Sequence, residues 1–509
     1  MSVRVISTPL GGTSLTQEGM VRAGGPWFVP RPSSAEGWSH RADDIRSSMT
    51  GDDWLSALAP AIDASGAAAD RLERAASTGF AVTTGQQPGM FGGPLYTWWK
   101  ALSALALADH LEKLTGRPVV PIFWAATDDS DFLESASTTV AINDKAVTIA
   151  LAEGTSSGAA LSRIPLGDVA AQFDLLTNAA GSAANARILD EVRAAYSPHR
   201  TIGGAYVALL RAVLNPLGIA VIDASHEATR AAALPILVNA LRCAADVEIA
   251  LATRTAELKA AGHAPQVKLV RGRSLVFEEN AGLRERVSVA DASGVADRAT
   301  SSQLGANVLL RPIVERSIIP TVAYVGGPAE IAYFAQVSAV AASLGTATPL
   351  VVPRWSGIVI EARTDRILER HDISIDELRD PHAAESRIAR AALPGGLMAS
   401  IENVRESIQR STADLAGADG ADLVPARVVD GLSANLTRRL DRLERRFAAA
   451  VKRRGSDALS DVASARASLF PAGVPQERAL NVVPLLARHG ETLFSDVLRE
   501  AGPHMAALA

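Results

Sequence analysis

Between Gly79 and about residue 375, short apolar runs alternate with segments whose apolar residues recur at helical spacing. GFAVTT (79–84) precedes WWKALSALALADHLEKL (98–114), and PVVPIFWAAT (118–127) follows it. In the middle segment Leu102, Leu105, Leu107, Leu111 and Leu114 keep the helical period, and Gly116 and Pro118 supply the stop. Strand, helix and strand in that order imply a right-handed crossover and a parallel sheet. The theme continues in GIAVIDAS (218–225), APQVKLV (264–270), SLVFEEN (274–280), PTVAYVGG (320–327) and TPLVVPRW (348–355). Strands alternating with helices over this length predict a doubly wound α/β core spanning 79–375.

The flanks read differently. Residues 1–78 are polar and mixed, a helical lead-in with one helix expected near Trp54–Ala76. Residues 140–200 are rich in Ala, Ser and Gly with weak periodicity, which predicts an insertion into the core. Beyond 375 the strand signals stop. Leu397, Ile401, Val404, Ile408 and Leu415 form one apolar stripe, and Leu432, Leu436, Leu440, Leu443 and Phe447 form another, with AGADGADLVP (416–425) between them. Two such helices predict an antiparallel coiled-coil arm over 380–470. RRLDRLERR (438–446) reads as its solvated face rather than a nucleic-acid patch. An arm of this kind suits homodimerisation or packing on its own core. Residues 471–509 are expected to form a helical tail on the core.

Composition narrows the function classes. The 509 residues are 48% hydrophobic and 21% charged, with a formal net charge of -5, which argues against nucleic acid as a bulk electrostatic partner. Cys243 is the only cysteine, so an intramolecular disulfide and a multi-thiolate zinc or iron–sulfur site are excluded. None of the nine histidines shows the H-E-x-x-H spacing, and no zinc site is expected. No window of about 20 apolar residues suggests a membrane span. The opening residues lack a secretory pattern, so the expectation is a cytoplasmic protein.

Three stretches carry chemistry. TTGQQPGMFGGPLYTWWK (83–100) joins a strand to a helix at the carboxyl edge of the expected sheet, where open α/β folds bind ligands. It fits neither nucleotide motif, G-x-x-x-x-G-K-[ST] nor G-x-G-x-x-G. Gly85 and Gly89 permit close approach of backbone to ligand, and Gln86 and Gln87 offer neutral donors and acceptors. Thr84, Tyr96 and Lys100 are candidate substrate contacts beside them. In FWAATDDSDFLE (123–134), Trp124 leads into Asp128, Asp129 and Asp131, acids suited to an amine, hydroxyls, a magnesium ion or a base role, or to capping a helix. LLRPIVERSIIPTVAYVGGPAEIAYFAQV (309–337) repeats the strand, glycine turn and helix, with Tyr324, Gly326, Gly327, Glu330 and Tyr333 around the turn. Arg311 and Arg354 are candidates for a carboxylate or phosphate. His263 and Gln266, in GHAPQVKL, are candidates for orienting substrate, while Cys243 reads as a buried helical residue.

TGQQPGMFGGPLYTWWK, PVVPIFWAATDDSDF, LLRP, YVGGPAEIAYFAQ, VVPRW and QERALNVVPLLARHG (476–490) together resemble one family, the cysteine-adding BshC enzymes of bacillithiol biosynthesis. The resemblance runs through most of the chain. It implies a Rossmann-like core with connecting-peptide insertions, related to class I aminoacyl-tRNA synthetases, then a coiled-coil arm and a homodimer. It also implies joining of cysteine to the amine of glucosaminyl-malate, with ATP activating the cysteine carboxylate. Gln476, Arg478 and Asn481 are candidate nucleotide contacts. Where the family reads close to Gly-Glu-Asp-His-Asp-Phe, this chain has Ala126-Thr127-Asp128-Asp129-Ser130-Asp131-Phe132, with Ser130 in place of the histidine.

Overall fold

The computed structural model describes residues 3–49, 53–151, 158–280, 282–301, 303–380, 382–454 and 457–509. Its centre is a parallel sheet of five strands: β1 (Phe80–Gln86), β2 (Val119–Ala125), β3 (Ala220–Asp223), β4 (Thr321–Gly326) and β5 (Val351–Pro353). Their spatial order is β3-β2-β1-β4-β5, and every neighbouring pair is parallel. This 3-2-1-4-5 order is the Rossmann arrangement, in which the chain reverses its direction of travel across the sheet between β1 and β4. The carboxyl ends of those two strands frame the crevice where such sheets take ligands.

β1, β2 and β4 are buried almost throughout, which is why their sequences read as unbroken apolar runs. On one side Val120, Ile122 and Trp124 join Leu58, Leu72, Leu237, Ile313 and Val337 in a single core. Three helices position the site: α1 (Leu95–Thr115), α2 (Arg311–Ile318) and α3 (Pro328–Ser343). α1 follows the glycine loop and ends where Gly116 takes a left-handed φ of 67°. It is apolar around most of its circumference because the sheet covers one side and the C-terminal helix Thr492–Leu508 lies along it, with Trp98 stacked on Phe494 at 6.0 Å.

Some elements depart from the expectations. The helix near 54–76 is two, Trp54–Ile62 and Ala67–Thr78, broken at Asp63 and Gly66, both at positive φ. Residues 264–270 form no strand: their alternate apolar side chains pack half-buried onto the core, and the Val267 backbone is paired by the Gln336 side-chain amide instead of a ladder. Strand Arg273–Asn280 belongs to a separate antiparallel sheet with Leu283–Ser288 and Leu304–Ala306, not to the parallel sheet. Its polar end, Glu278 to Asn280, marks a sheet with one wet face. The insertion holds a hairpin and helices Ala170–Ala180 and Arg187–Ala195.

The chain divides into two compact units. One comprises Met1–Val140, Val147–Ile360 and Glu477–Ala509, so the lead-in is part of the core; strand Arg4–Ser7 pairs antiparallel with Gly357–Ile360. The other comprises Ala141–Ala146 and Glu361–Gln476. It contains α4 (Gly395–Gly417) and α5 (Ala426–Arg454). Arg405 bonds Asp441 at 2.8 Å and Thr412 bonds Ser433 at 3.3 Å, so one helix ascends as the other descends. Ile401 and Leu440 are buried in this unit, but Val404, Leu415, Leu432 and Leu443 of the expected stripes are exposed, and the seam is completed by the Arg390 and Arg405 pairs with the buried Glu444.

Candidate functional site

The glycine loop leaves the carboxyl end of β1. Gly85 sits opposite Trp124 in the ladder, and a Cβ there would lie 2.8 Å from the Trp124 carbonyl oxygen, so only glycine leaves the strands at their spacing. Beyond it, Asn481 closes the loop from outside. Its side-chain amide donates to the carbonyls of Met90, Phe91 and Gly93 at 3.0–3.3 Å, and its Oδ1 accepts from the Val483 amide at 2.8 Å. α1 then carries Lys100 back under the loop.

Lys100 is 1% exposed. Its ammonium donates to the Gly85 carbonyl, to Gln86 Oε1 at 3.3 Å, and to both Glu330 oxygens at 2.8 and 2.7 Å. Glu330 lies in the first turn of α3, where it also accepts from the Gly327 amide at 2.7 Å and the Tyr324 hydroxyl at 2.5 Å. Burial works against its charge, but Lys100 and these donors more than offset it and hold the carboxyl below its ordinary range. Burial lowers the Lys100 pKa, with Glu330 opposing. Arg311, at the start of α2, donates to Glu315 at 2.6 Å, Tyr324 at 3.1 Å and Tyr333 at 3.2 Å. Burial raises the pKa of Glu315, and Arg311 pulls it back. These groups form a continuous polar floor between β1 and β4.

The floor underlies a cleft of about 460 Å³. Of the expected residues, Gly85, Gln86, Gln87, Tyr96, Lys100, Trp124, Asp128, Asp129, Arg311, Gly327, Glu330, Tyr333, Arg354 and Arg478 line it. Gln87 donates to Asp129 Oδ2 at 2.6 Å, and Gln86 to the Tyr96 hydroxyl at 3.3 Å. Burial pushes the Tyr96 phenol up to about 12. Asp128 is raised by burial, with Arg284 opposing and Asp129 reinforcing the rise. Arg354 is 2% exposed and makes a bidentate pair with Glu477 at 2.9 and 2.6 Å, leaving its Nε buried without a partner.

Several expected residues lie outside the cleft or have other duties. Asp131 is exposed and caps helix Phe132–Ser135 by accepting from the Glu134 amide. Thr84 is buried and donates to the Val325 carbonyl at 2.8 Å. Gly89 and Gly326 shape backbone: a Cβ on Gly89 would meet Gly93 at 2.7 Å, and the Gly326 carbonyl accepts from Arg354 N at 2.9 Å. Tyr324 is buried within the floor and does not line the cleft. His263 is not at the cleft: it bonds Glu18 and Ser14, each at 2.9 Å, with its ring edge against Trp27. Gln266 is exposed and also away from it. Gln476 belongs to the helical unit and donates to the Ser468 carbonyl, Asn481 is spent on the loop, and only Arg478 reaches the cleft.

The three acids turn to separate partners. Asp128 turns to Arg284, Asp129 to Gln87 and Asp131 to its cap. Among the described residues, no group of three or more His, Cys, Asp or Glu is placed to hold a metal. The two helix N-termini at the crevice are partly occupied by the chain's own groups. The Gly327 amide is taken by Glu330, and the Leu95 amide by the Leu480 carbonyl.

Sequence reasoning missed one wall. Phe277, Arg284 and Arg286 come from the small antiparallel sheet, and Asn307 from the loop before α2. Arg284 lies 4.6 Å and Arg286 5.6 Å from the Phe277 ring centre. Their signal was present: residues two apart in a strand share a face.

The description "Bacillithiol biosynthesis BshC, N-terminal Rossmann-like domain" matches residues 27–355, and "Bacillithiol biosynthesis BshC, C-terminal coiled-coil domain" matches residues 358–507. The chain is 31% identical over 453 residues to the protein named "Putative cysteine ligase BshC" of Solibacter usitatus, covering 82% of each chain. A protein of the same name from Koribacter versatilis is 30% identical, over 88% of this chain and 87% of its own. That of Symbiobacterium thermophilum is 28% identical over 96% of both. No helix among the described residues is long and apolar enough to cross a membrane. With its 3-2-1-4-5 sheet, its helical hairpin and matches spanning almost its whole length, the chain belongs to the BshC family of bacillithiol biosynthesis.

Proposed function

We propose that this chain is an amide-forming cysteine ligase that joins the carboxyl of cysteine to the amine of an amino-sugar malate conjugate, glucosaminyl-malate. The observation that carries this reading is the charge division of the cleft at the β1/β4 reversal. Carboxylates of Asp128 and Asp129 lie at the end of β2, and guanidinium groups face them from the small antiparallel sheet. Each substrate carries an amine and at least one carboxylate, and the cleft offers Asp129 toward the first and a guanidinium of the small sheet toward the second. In this reading Asp129, held by Gln87, takes the proton that the attacking amine must lose. The Lys100–Glu330–Tyr324 floor fixes Gln86 and the loop in place.

Amide formation from a free acid requires activation of the carboxyl, and ATP is the activator we propose. The Gly327 and Leu95 amides at the two helix N-termini of the crevice are taken by Glu330 and the Leu480 carbonyl. We propose further that the helical arm pairs two copies through Val404, Leu415, Leu432 and Leu443, which are 46–53% exposed. A Leu432→Asp variant should sediment as one chain where the parent sediments as two.

Purified protein given ATP, cysteine and glucosaminyl-malate should release the amide, detected by mass. Ser130 lines the cleft where the family carries a histidine, and it favours a second reading, ligation of cysteine to a different amine. Product formed only with another amino sugar would select that reading, and binding without turnover would contradict both.

A further inference from the structure

Three cleft arginines already have acid partners: Arg284 with Asp128, Arg311 with Glu315 and Arg354 with Glu477. Arg311, a carboxylate candidate from sequence, already holds Glu315, Tyr324 and Tyr333. Arg286 differs. It pairs with no carboxylate among the described residues, and its guanidinium rests on the Phe277 ring. Burial alone lowers its pKa, as expected of a half-buried cation with no counter-charge at hand. Asn307 shares the cleft and a small recess with it. Asn307 is 4% exposed and gives its Oδ1 to the Leu309 and Leu310 amides, while its Nδ2 is buried with no partner. Buried donors are nearly always paired, so an unpaired amide and an uncompensated guanidinium lining the same cavities suit an anionic ligand.

We propose that Arg286 and Asn307 form an oxyanion subsite of the cleft that receives a carboxylate of the amine-bearing substrate. A planar guanidinium offers two parallel donors to a carboxylate, and the amide supplies a third from the side. Arg284 cannot compete for this role, because the Asp128 and Ala306 carbonyls hold it in place. The subsite rests on the ligase reading only for the identity of the molecule that bears the carboxylate. A phosphate would present the same chemistry, so the test separates the two sources.

Calorimetry on the full chain, with L-malate and with ATP in separate titrations, needs no turnover and so stands apart from success or failure of the ligase assay. Arg286→Gln should weaken L-malate at least tenfold and leave ATP within twofold, with Arg286→Lys recovering part of the loss. Arg286→Gln should also unfold within about 2 °C of the parent, since the residue loses a ring contact with Phe277 but no ion pair. Weakening of ATP with malate unchanged would keep the oxyanion chemistry but overturn the carboxylate assignment in favour of phosphate. Unchanged affinities for both, or a parent that binds neither at millimolar concentration, would overturn the subsite.

Discussion

Glu330 is the residue on which the cleft floor converges, because it caps its own helix and holds both Lys100 and Tyr324. Its folded pKa lies below the ordinary value of 4.5, so the unfolded chain binds more protons in that window. Its contribution is therefore present above about pH 4.5 and is lost as pH falls through the folded value. Thermal unfolding followed from pH 7 to pH 3 should show a steeper acid loss for the parent than for Glu330→Gln. Parallel curves would remove Glu330 from the account. The Arg354–Glu477 pair is buried on both sides, and Glu477→Ala leaves an uncompensated guanidinium. That change should destabilise by about 3–5 kcal/mol, read by chemical denaturation. At this scale the sequence showed which acids and glutamines cluster, but not their partners. Asp131 caps a helix while Asp129 meets Gln87, a division set by local backbone geometry rather than spacing.

Strands were most legible where they are fully buried. β1, β2 and β4 are continuous apolar runs because both faces are covered, and their order in the chain constrains the crossovers. The half-buried segments misled for the converse reason: 264–270 alternates like a strand yet has no ladder neighbour, and 273–280 pairs in a different sheet. The wall carrying Arg284 and Arg286 was hidden by that misplacement, since a charged hairpin ordinarily reads as a solvated surface. The glycine loop itself was legible as a ligand-side turn; its dependence on Asn481, almost 400 residues downstream, was not, because a long-range clasp leaves no local pattern. Asn481→Ala strips the donor from three carbonyls and should cost about 1–3 kcal/mol. Hydrogen exchange should locate the loosening at Gly92, Gly93 and Leu95. Unchanged protection there would assign the hold on the loop to its glycines alone.

Across the whole molecule, the family matches extend from residue 27 to residue 507, and the site is assembled from segments spread through most of the core unit. β1 supplies the loop, α1 the buried lysine, β2 the acids, the small sheet the arginines and α3 the glutamate. The reaction proposed for this cleft is amide formation between cysteine and an amino-sugar amine. Its most direct measurement is the incorporation of isotopically labelled cysteine into glucosaminyl-malate, with ATP present, by the parent protein and by Asp129→Asn at matched thermal stability. Labelled amide is expected from the parent, with a rate lower by about 100-fold or more in the variant. No labelled amide from the parent, or an undiminished rate in Asp129→Asn, would contradict it.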